Sequence, residues 1–230
     1  MLILGLDTAT AVTTVAVSHA SEGRVIEASH TDSRRHAEAL PRLVREVLGA
    51  SSSTPPDVDL IAVGVGPGPF TGLRVGVTFA RAMAHALAVP VVGVMTLDVM
   101  ARAHPCSDGT TVVTRSRRVE VAWATYDAVG SRRDGPLVLP DDGYPRVGLV
   151  VGDVDDVDEP ALPSAAVLCD LVRSRLDAGE PLPIDRSWPE DAASGTGMPT
   201  AAALSAIAES GHVLLPALPL YLRRPDAVPA

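Results

Sequence analysis

The chain has 230 residues, a formal net charge of -9 and a sequence isoelectric point near 5.0, which argues against a protein that grips nucleic acid through a broad basic surface. All 19 basic residues are arginine, so lysine nucleophiles, Schiff bases and P-loop lysines are excluded. Apolar residues make up 47% and aromatic residues only 3%, so the core must be built from Ala, Val and Leu. This composition favours an α/β fold in which a Val-rich sheet is covered by Ala-rich helices.

The first 103 residues predict the element order βββαβαβα, which begins with an antiparallel meander. Ser33 is a candidate N-cap for the first helix, and Pro41 lies within its early turns. The predicted elements are strands at 2–7, 12–18 and 23–29, a helix at 34–48, a strand at 61–65, a helix at 71–88, a strand at 90–95 and a helix at 96–103.

The stretch 61–88 predicts a buried strand, a tight loop and a helix with Thr71 as its N-cap. A glycine-rich turn before a helix is able to cradle phosphate, but this one has neither the G-x-G-x-x-G spacing nor a P-loop lysine. Small residues recur at every fourth position of the helix, so something packs closely against it. The pattern does not show whether the chain's own sheet or a helix of another chain packs against this face. These residues are Gly72, Gly76, Ala80, Ala84 and Ala88.

The second half is predicted to begin near residues 104–109, which mark the best domain boundary. Its predicted elements are a hairpin at 111–114 and 119–126, a strand at 146–151, helices at 165–176 and 200–209, and a flexible surface loop at 180–197.

Few residues are arranged for chemistry. Asp7, with Thr8 and Thr10 in the next turn, would suit Mg²⁺-bound water and phosphate oxygens, although an Asx-type turn is the simpler interpretation. The acidic residues at 153–159 lack the spacing of a calcium loop and predict a solvated charge run. No two histidines are three or four positions apart, and no G-x-S-x-G motif occurs. We therefore predict no catalytic, cofactor-binding or metal-binding residue.

The cysteines and the apolar runs indicate the cellular compartment. Cys106 and Cys169 form no C-x-x-C pair, so neither a disulfide framework nor a zinc knuckle is expected. No apolar run reaches 18 residues without Gly, Pro or a charge, and the start of the sequence has no basic segment with a cleavage site. We expect no membrane span and no signal peptide, and we expect a reducing, cytoplasmic location.

Four segments, in order along the chain, resemble the TsaB (YeaZ) family, although Pro69 stands where that family usually has Ser. The segments are Gly5-Leu6-Asp7-Thr8-Ala9-Thr10, Arg34-Arg35-His36-Ala37-Glu38, Gly66-Pro67-Gly68-Pro69-Phe70-Thr71-Gly72-Leu73-Arg74 and Pro219-Leu220-Tyr221-Leu222-Arg223. The resemblance implies the actin-like ATPase (ASKHA) fold. Residues 1–103 would form an N-terminal ribonuclease-H-like lobe, and residues 104–230 a degenerate second lobe.

The resemblance also implies a function. TsaB is the dimerisation subunit of the bacterial machinery that makes N6-threonylcarbamoyladenosine at position 37 of tRNA. The catalytic paralogue, TsaD, carries an H-x-x-x-H metal pair where this chain has Thr96 and Met100, which cannot replace two imidazoles. We therefore expect a non-catalytic subunit that needs no cofactor. A stand-alone nucleotide-dependent ATPase or kinase, or a peptidase, of the same fold is the alternative.

The implied partners are a TsaD-like catalytic subunit and, in the larger complex, a TsaE-like ATPase. The chain alone would form a homodimer, and tRNA would be contacted only indirectly. The two helices at 34–48 and 71–88 would form the interface, with arginines at its rim. The predicted interface residues are Arg34, His36, Leu40, Leu43, Val47, Leu73, Arg74, Gly76, Val77, Ala80, Arg81 and Ala84.

Overall fold

A computed structural model of the chain describes residues 1–20, 23–32, 34–117, 119–140, 143–183, 213–220 and 222. The predicted helix at 200–209 and most of the predicted loop at 180–197 lie outside these residues, as do Ser33 and Tyr221.

The first half has the predicted order βββαβαβα, with an added 3-10 turn at Pro55–Asp57. Its elements are β1 (Leu2–Asp7), β2 (Val12–His19), β3 (Arg24–Thr31), α1 (His36–Ala50), β4 (Leu60–Gly64), α2 (Phe70–Leu87), β5 (Val91–Val94) and α3 (Thr96–Ala103). The second half contains β6 (Thr110–Arg117), β7 (Glu120–Tyr126), β8 (Arg132–Pro140), β9 (Leu149–Gly152), β10 (Glu159–Pro160), α4 (Ala165–Asp177) and β11 (Leu214–Leu215).

These elements form two sheets. The first has the strand order β11-β5-β4-β1-β2-β3, and the second has the order β10-β9-β6-β7-β8. In the first sheet, β1, β2 and β3 form the predicted antiparallel meander, and β4 and β5 run parallel to β1. The second sheet repeats this arrangement, with an antiparallel meander of β6, β7 and β8 followed by parallel β9 and β10. Two such sheets are the two ribonuclease-H-like lobes of the actin-like ATPase fold, which confirms the predicted fold class.

Alternating side chains of β1 reach both faces of the first sheet, as the pleat of a strand requires. Leu4 and Leu6 pack into the cluster that contains the apolar faces of α1 and α2. Ile3 lies in the opposite cluster, which Leu168 and Val172 of α4 complete. The first sheet is therefore enclosed between α1 and α2 on one side and α4 on the other.

Two elements of the second half join the first sheet, because α4 packs on it and β11 pairs with β5. The proposed division into residues 1–103 and 104–230 stays a prediction.

Two predicted helix starts differ from the structure, and three strands, β8, β10 and β11, are not among the predicted elements. Helix α2 begins at Phe70 with Pro69 at its N-cap and no side-chain cap, so the prediction that Thr71 is the N-cap was wrong. Helix α1 begins at His36 rather than Arg34. Cys106 and Cys169 are both free thiols, as expected. Among the described residues, no helix is long and apolar enough to cross a membrane.

Candidate functional site

Asp7, at the end of β1, is fully buried, and both of its carboxylate oxygens accept hydrogen bonds. The backbone N–H of Ala9 donates to Oδ1 at 2.7 Å, which is the geometry of the predicted Asx-type turn. The Oγ1 hydroxyl of Thr96 donates to Oδ2 at 2.8 Å. Burial raises the pKa of Asp7 to about 6, although both hydrogen bonds oppose this rise.

Thr96 connects three elements at this point. Besides donating to Asp7, its hydroxyl accepts a hydrogen bond from the N–H of Gly66 at 3.2 Å. Its own N–H donates to the carbonyl of Gly66 at 2.8 Å. The end of β1, the loop after β4 and the start of α3 are thereby held together. Met100, the second position of the implied metal pair, is buried in the main apolar cluster, so neither position presents a ligand.

The glycine-rich loop and α2 lie directly on the turn between β1 and β2. A Cβ atom on Gly68 would lie 1.9 Å from the carbonyl oxygen of Ala9, and one on Gly76 would lie 2.3 Å from Oγ1 of Thr8. The same hydroxyl of Thr8 donates to the carbonyl of Gly72 at 2.7 Å. The small residues of α2 therefore allow close packing within the chain itself, rather than against another chain.

His36, at the start of α1, belongs to the same region. Its Nδ1 atom is 2.7 Å from Oγ1 of Thr13 on β2, and only 5% of the residue is exposed. Burial is the main cause that lowers the pKa of His36, so the imidazole is neutral at pH 7. The Arg-His-Ala-Glu motif thus fixes the start of α1 against the first sheet.

Most of the predicted interface residues are buried inside the chain. A partner could not contact these side chains without unfolding α1 or α2, because each already packs against the chain's own sheet. The buried residues are His36, Leu40, Leu43, Val47, Leu73, Gly76, Val77, Ala80 and Ala84.

The three predicted rim arginines are exposed. Arg74 lies over the ring of Phe70 at 3.7 Å, and Arg81 donates to the carbonyl of Ala217 at 3.5 Å. The position of the interface remains a prediction, and the outer faces of the two helices are the parts of them that are exposed in the chain alone.

The outer face of α2 contains an apolar strip that the sequence analysis did not select. Its members recur at spacings of four, three, one and three residues, so they lie on one side of the helix. The spacing of this strip is visible in the sequence, but the row of small residues on the same helix is more regular and predicts a different interface face. We define the outer strip as Val75, Phe79, Ala82, Met83 and Ala86. Ala82 and Ala86 are exposed, whereas Val75, Phe79 and Met83 are half-buried and also pack against the edge of the main apolar cluster.

The acidic residues after β9 are engaged by protein groups. Asp153 accepts from the N–H of Arg115, and Asp158 accepts from the N–H of Val150. Arg146 forms ion pairs with Asp156 at 3.1 Å and Asp158 at 3.3 Å. Within the part of the chain that the structure describes, no three His, Cys, Asp or Glu residues are grouped as metal ligands would be. These acidic residues therefore form a run of charges at the surface, and other groups of the protein bind them.

Known proteins resemble the chain over most of its length. The family model described as "TsaD: tRNA N6-adenosine threonylcarbamoyltransferase" matches residues 17–137. An uncharacterized protein of Mycobacterium tuberculosis is 37% identical over 229 residues, which cover 99% of this chain and 94% of the relative. The tRNA threonylcarbamoyladenosine biosynthesis protein TsaB of Escherichia coli is 35% identical over 129 residues, or 55% of each chain. The structure of YeaZ from Pseudomonas aeruginosa aligns with a TM-score of 0.66 and 28% identity, over 78% of this chain and 93% of that one.

The two sheets of repeated topology, with Asp7 in the turn that follows β1, define a protein of the actin-like ATPase class. Within that class, the chain belongs to the TsaB (YeaZ) family.

Proposed function

We propose that this chain is a non-catalytic subunit in the biosynthesis of N6-threonylcarbamoyladenosine at position 37 of tRNA. It would bind and activate a TsaD-like transferase, and a TsaE-like ATPase would join the larger complex. Membership of the TsaB family supports the pathway. The packing around Asp7 is the observation that supports a non-catalytic role.

A hydrated Mg²⁺ ion needs oxygen ligands that it can reach, and a phosphate needs N–H or cationic groups that are not covered, whereas Asp7 is fully buried. Both oxygens of Asp7 are already hydrogen-bonded, and Gly68 of the glycine-rich loop lies against the backbone of Ala9. A nucleotide phosphate could enter only if this loop moved away from the turn. The contacts that would bind substrate in an active enzyme of this fold instead stabilise the chain itself.

The outer strip of α2 is the surface that we assign to the partner. It presents Phe79 and Met83 at its centre, and the neighbouring side of the helix carries Arg74 and Arg81. An apolar patch with charged residues at its edge is typical of protein interfaces. The strip would bind the TsaD-like subunit, or a second copy of itself in a two-fold symmetric homodimer when that subunit is missing. The net charge of -9 supports an indirect contact with tRNA.

The test is light scattering on the purified chain, alone and mixed with the TsaD-like protein of the same genome. Ala82 lies at the middle of the outer strip and is exposed, so Ala82→Arg adds a charge without disturbing the core. We expect wild type to form a homodimer that converts to a heterodimer. We expect Ala82→Arg to weaken both by about tenfold or more, since burying an unpaired charge in an interface is costly.

Ala103→Arg is the matched control, because Ala103 is equally exposed but lies at the end of α3. It should behave as wild type in both assemblies. Failure of the wild-type chain to bind the TsaD-like protein, together with ATP turnover or peptide cleavage by the chain alone, would favour a stand-alone enzyme instead.

A further inference from the structure

A cavity of about 610 Å³ lies between α3, α4 and the turn that joins β7 to β8. Cavities of this size hold small organic ligands. The Asp7 network involves Thr96, the first residue of α3, whereas the cavity is lined by Asp98 and by residues near the end of that helix, among them Arg102 and Pro105. The cavity is therefore separate from the strand-end region described above.

The charged residues that line the cavity are mostly basic. Among the described residues they are Arg102, Arg132 and Arg175, against one acid, Asp98, so this part of the lining carries three positive charges and one negative, or +2. The chain as a whole has a net charge of -9. A positive cavity in an acidic protein concentrates anions locally, because low-dielectric walls focus the field.

Arg132 is held rigidly in the wall. Its Nε and Nη2 atoms each lie 3.2 Å from one oxygen of Asp98, and only 6% and 7% of these two side chains are exposed. The hydroxyl of Tyr126 also donates to Asp98 at 2.7 Å. Within the described part of the chain, Nη1 of Arg132 is buried without a hydrogen-bond partner. A buried guanidinium that leaves one donor unpaired is uncommon in folded proteins.

The other two arginines are only loosely neutralised. Arg102 pairs with Asp170 at 3.2 Å, but Asp170 also pairs with Arg173. Arg175 lies 4.0 Å from Glu180, whose carboxylate also accepts hydrogen bonds from two backbone N–H groups. The side chains of Arg102 and Arg175 are 53% and 35% exposed. The exposed pair of Arg102 is weak, and Arg175 lies as far as 4.0 Å from the mostly buried Glu180, so both guanidinium groups are able to turn toward a ligand.

The remaining wall is largely apolar. Ala101, Pro105, Leu171 and Val213 line it, and no second acid does among the residues that the structure describes. We propose that this cavity binds a small molecule with a phosphate monoester group and an apolar body. A phosphate monoester carries a charge of about -1.5 to -2 at pH 7, which matches the +2 of the lining. Arg102 and Arg175 bind the phosphate at the mouth, and the apolar wall receives the body.

The test is isothermal titration calorimetry on the full chain with three probes: phenyl phosphate, inorganic phosphate and phenol. We expect one site that binds phenyl phosphate more tightly than inorganic phosphate and binds phenol undetectably. Raising the salt concentration should weaken the binding. Equal affinity for the two phosphates would overturn the assignment of the apolar wall. No saturable binding of either at millimolar concentration would overturn the site.

The variants are Arg102→Gln and Arg175→Gln, with Arg173→Gln as the matched control. Arg102 and Arg173 both pair with Asp170, but only Arg102 lines the cavity. We expect Arg102→Gln and Arg175→Gln to weaken phenyl phosphate binding by about tenfold or more, because each removes a charge-assisted hydrogen bond. Arg173→Gln should bind as wild type does. Equal losses in Arg102→Gln and Arg173→Gln would place the binding elsewhere and overturn the proposal.

Discussion

The two sheets share one strand order but are covered differently. In the first sheet, α1 and α2 follow β3 and β4 and pack on one face, while α4 packs on the other. In the second sheet, the corresponding connections contain no helix in their described residues, 143–148 and 153–158. Of the helices that the structure describes, α3 is the one that packs on the second sheet.

The described chain covers one face of the second sheet with loops rather than with helices. The second sheet covers one face with Trp123 and with loop side chains such as Tyr144, Val154 and Val157. Among the described residues, the outer faces of α1 and α2 on the first sheet are exposed, and the proposed partner surface is the outer strip of α2.

The largest effect should come from separating the second sheet from α3. Arg132→Met leaves Asp98 buried without its ion-pair partner, so we expect the free energy of unfolding in urea to fall by about 3–5 kcal/mol. The neighbouring Arg133 is mostly exposed and pairs with Asp127. Arg133→Met should cost less than about 1 kcal/mol. Similar losses in both variants would mean that the buried pair does not connect the two lobes.

A second prediction concerns the strand end of the first sheet. The pKa of Asp7 is higher in the folded chain, about 6, than its ordinary 3.8, so the folded state binds this proton more tightly. The contribution of this pKa difference to the free energy of unfolding is fully present below pH 4 and is lost as the pH rises to about 6. The shift corresponds to roughly 3 kcal/mol. Urea unfolding from pH 4 to pH 7 should show that Asp7→Asn gains stability relative to wild type by an amount of this order.

Asp57→Asn is the control for this pH dependence. Hydrogen bonds from Thr54 lower the pKa of Asp57, so the stability it contributes is lost as the pH falls below the ordinary value. Between pH 4 and pH 7 the difference in stability between Asp57→Asn and wild type should therefore stay nearly constant, whereas the difference for Asp7→Asn changes with pH. A pH-independent difference for Asp7→Asn would contradict the buried, partly protonated carboxyl group.

The smallest effect concerns the way α4 is attached to the first sheet. The carboxylate of Glu27 on β3 accepts from the N–H of Ala165 at 2.6 Å and from the hydroxyl of Ser164 at 3.1 Å, at the N-terminus of α4. Glu27→Ala should lower the free energy of unfolding by about 1 kcal/mol.

Glu46→Ala is the control for Glu27→Ala. It removes only the exposed pair with Arg42 within α1, so it should cost a few tenths of a kcal/mol. Equal effects in urea unfolding would mean that Glu27 does not hold α4 in place.

Much of the fold was predictable because its signals are local. The meander, the four predicted helices within the described residues and the Asx-type turn at Asp7 follow from apolar spacing and turn residues. Strand β8 was missed because Gly135 and Pro136 interrupt it and its first residues are polar. It forms because β7 offers a pairing edge, which is a contact between distant residues.

The candidate interface shows the limit of periodicity. Helix α2 is apolar on two sides, one with Gly76 and Ala80 and the other with Val75 and Phe79. The sequence shows that each set shares a face, but not which face the sheet covers. Gly76 allows Thr8 to approach closely, so the row of small residues is turned inward and Val75 and Phe79 are only partly covered.

The sequence by itself determined the family, the order of elements in the first lobe and the absence of lysine chemistry, since these depend on residue identity and short-range spacing. Only the tertiary structure decided that the second half repeats the first sheet, that α4 returns to cover the first lobe and that three arginines line one cavity. Each of these depends on packing between residues that are far apart in the chain. The folded chain adopts the packing that buries the most apolar surface in total. A local sequence pattern does not show which packing that is.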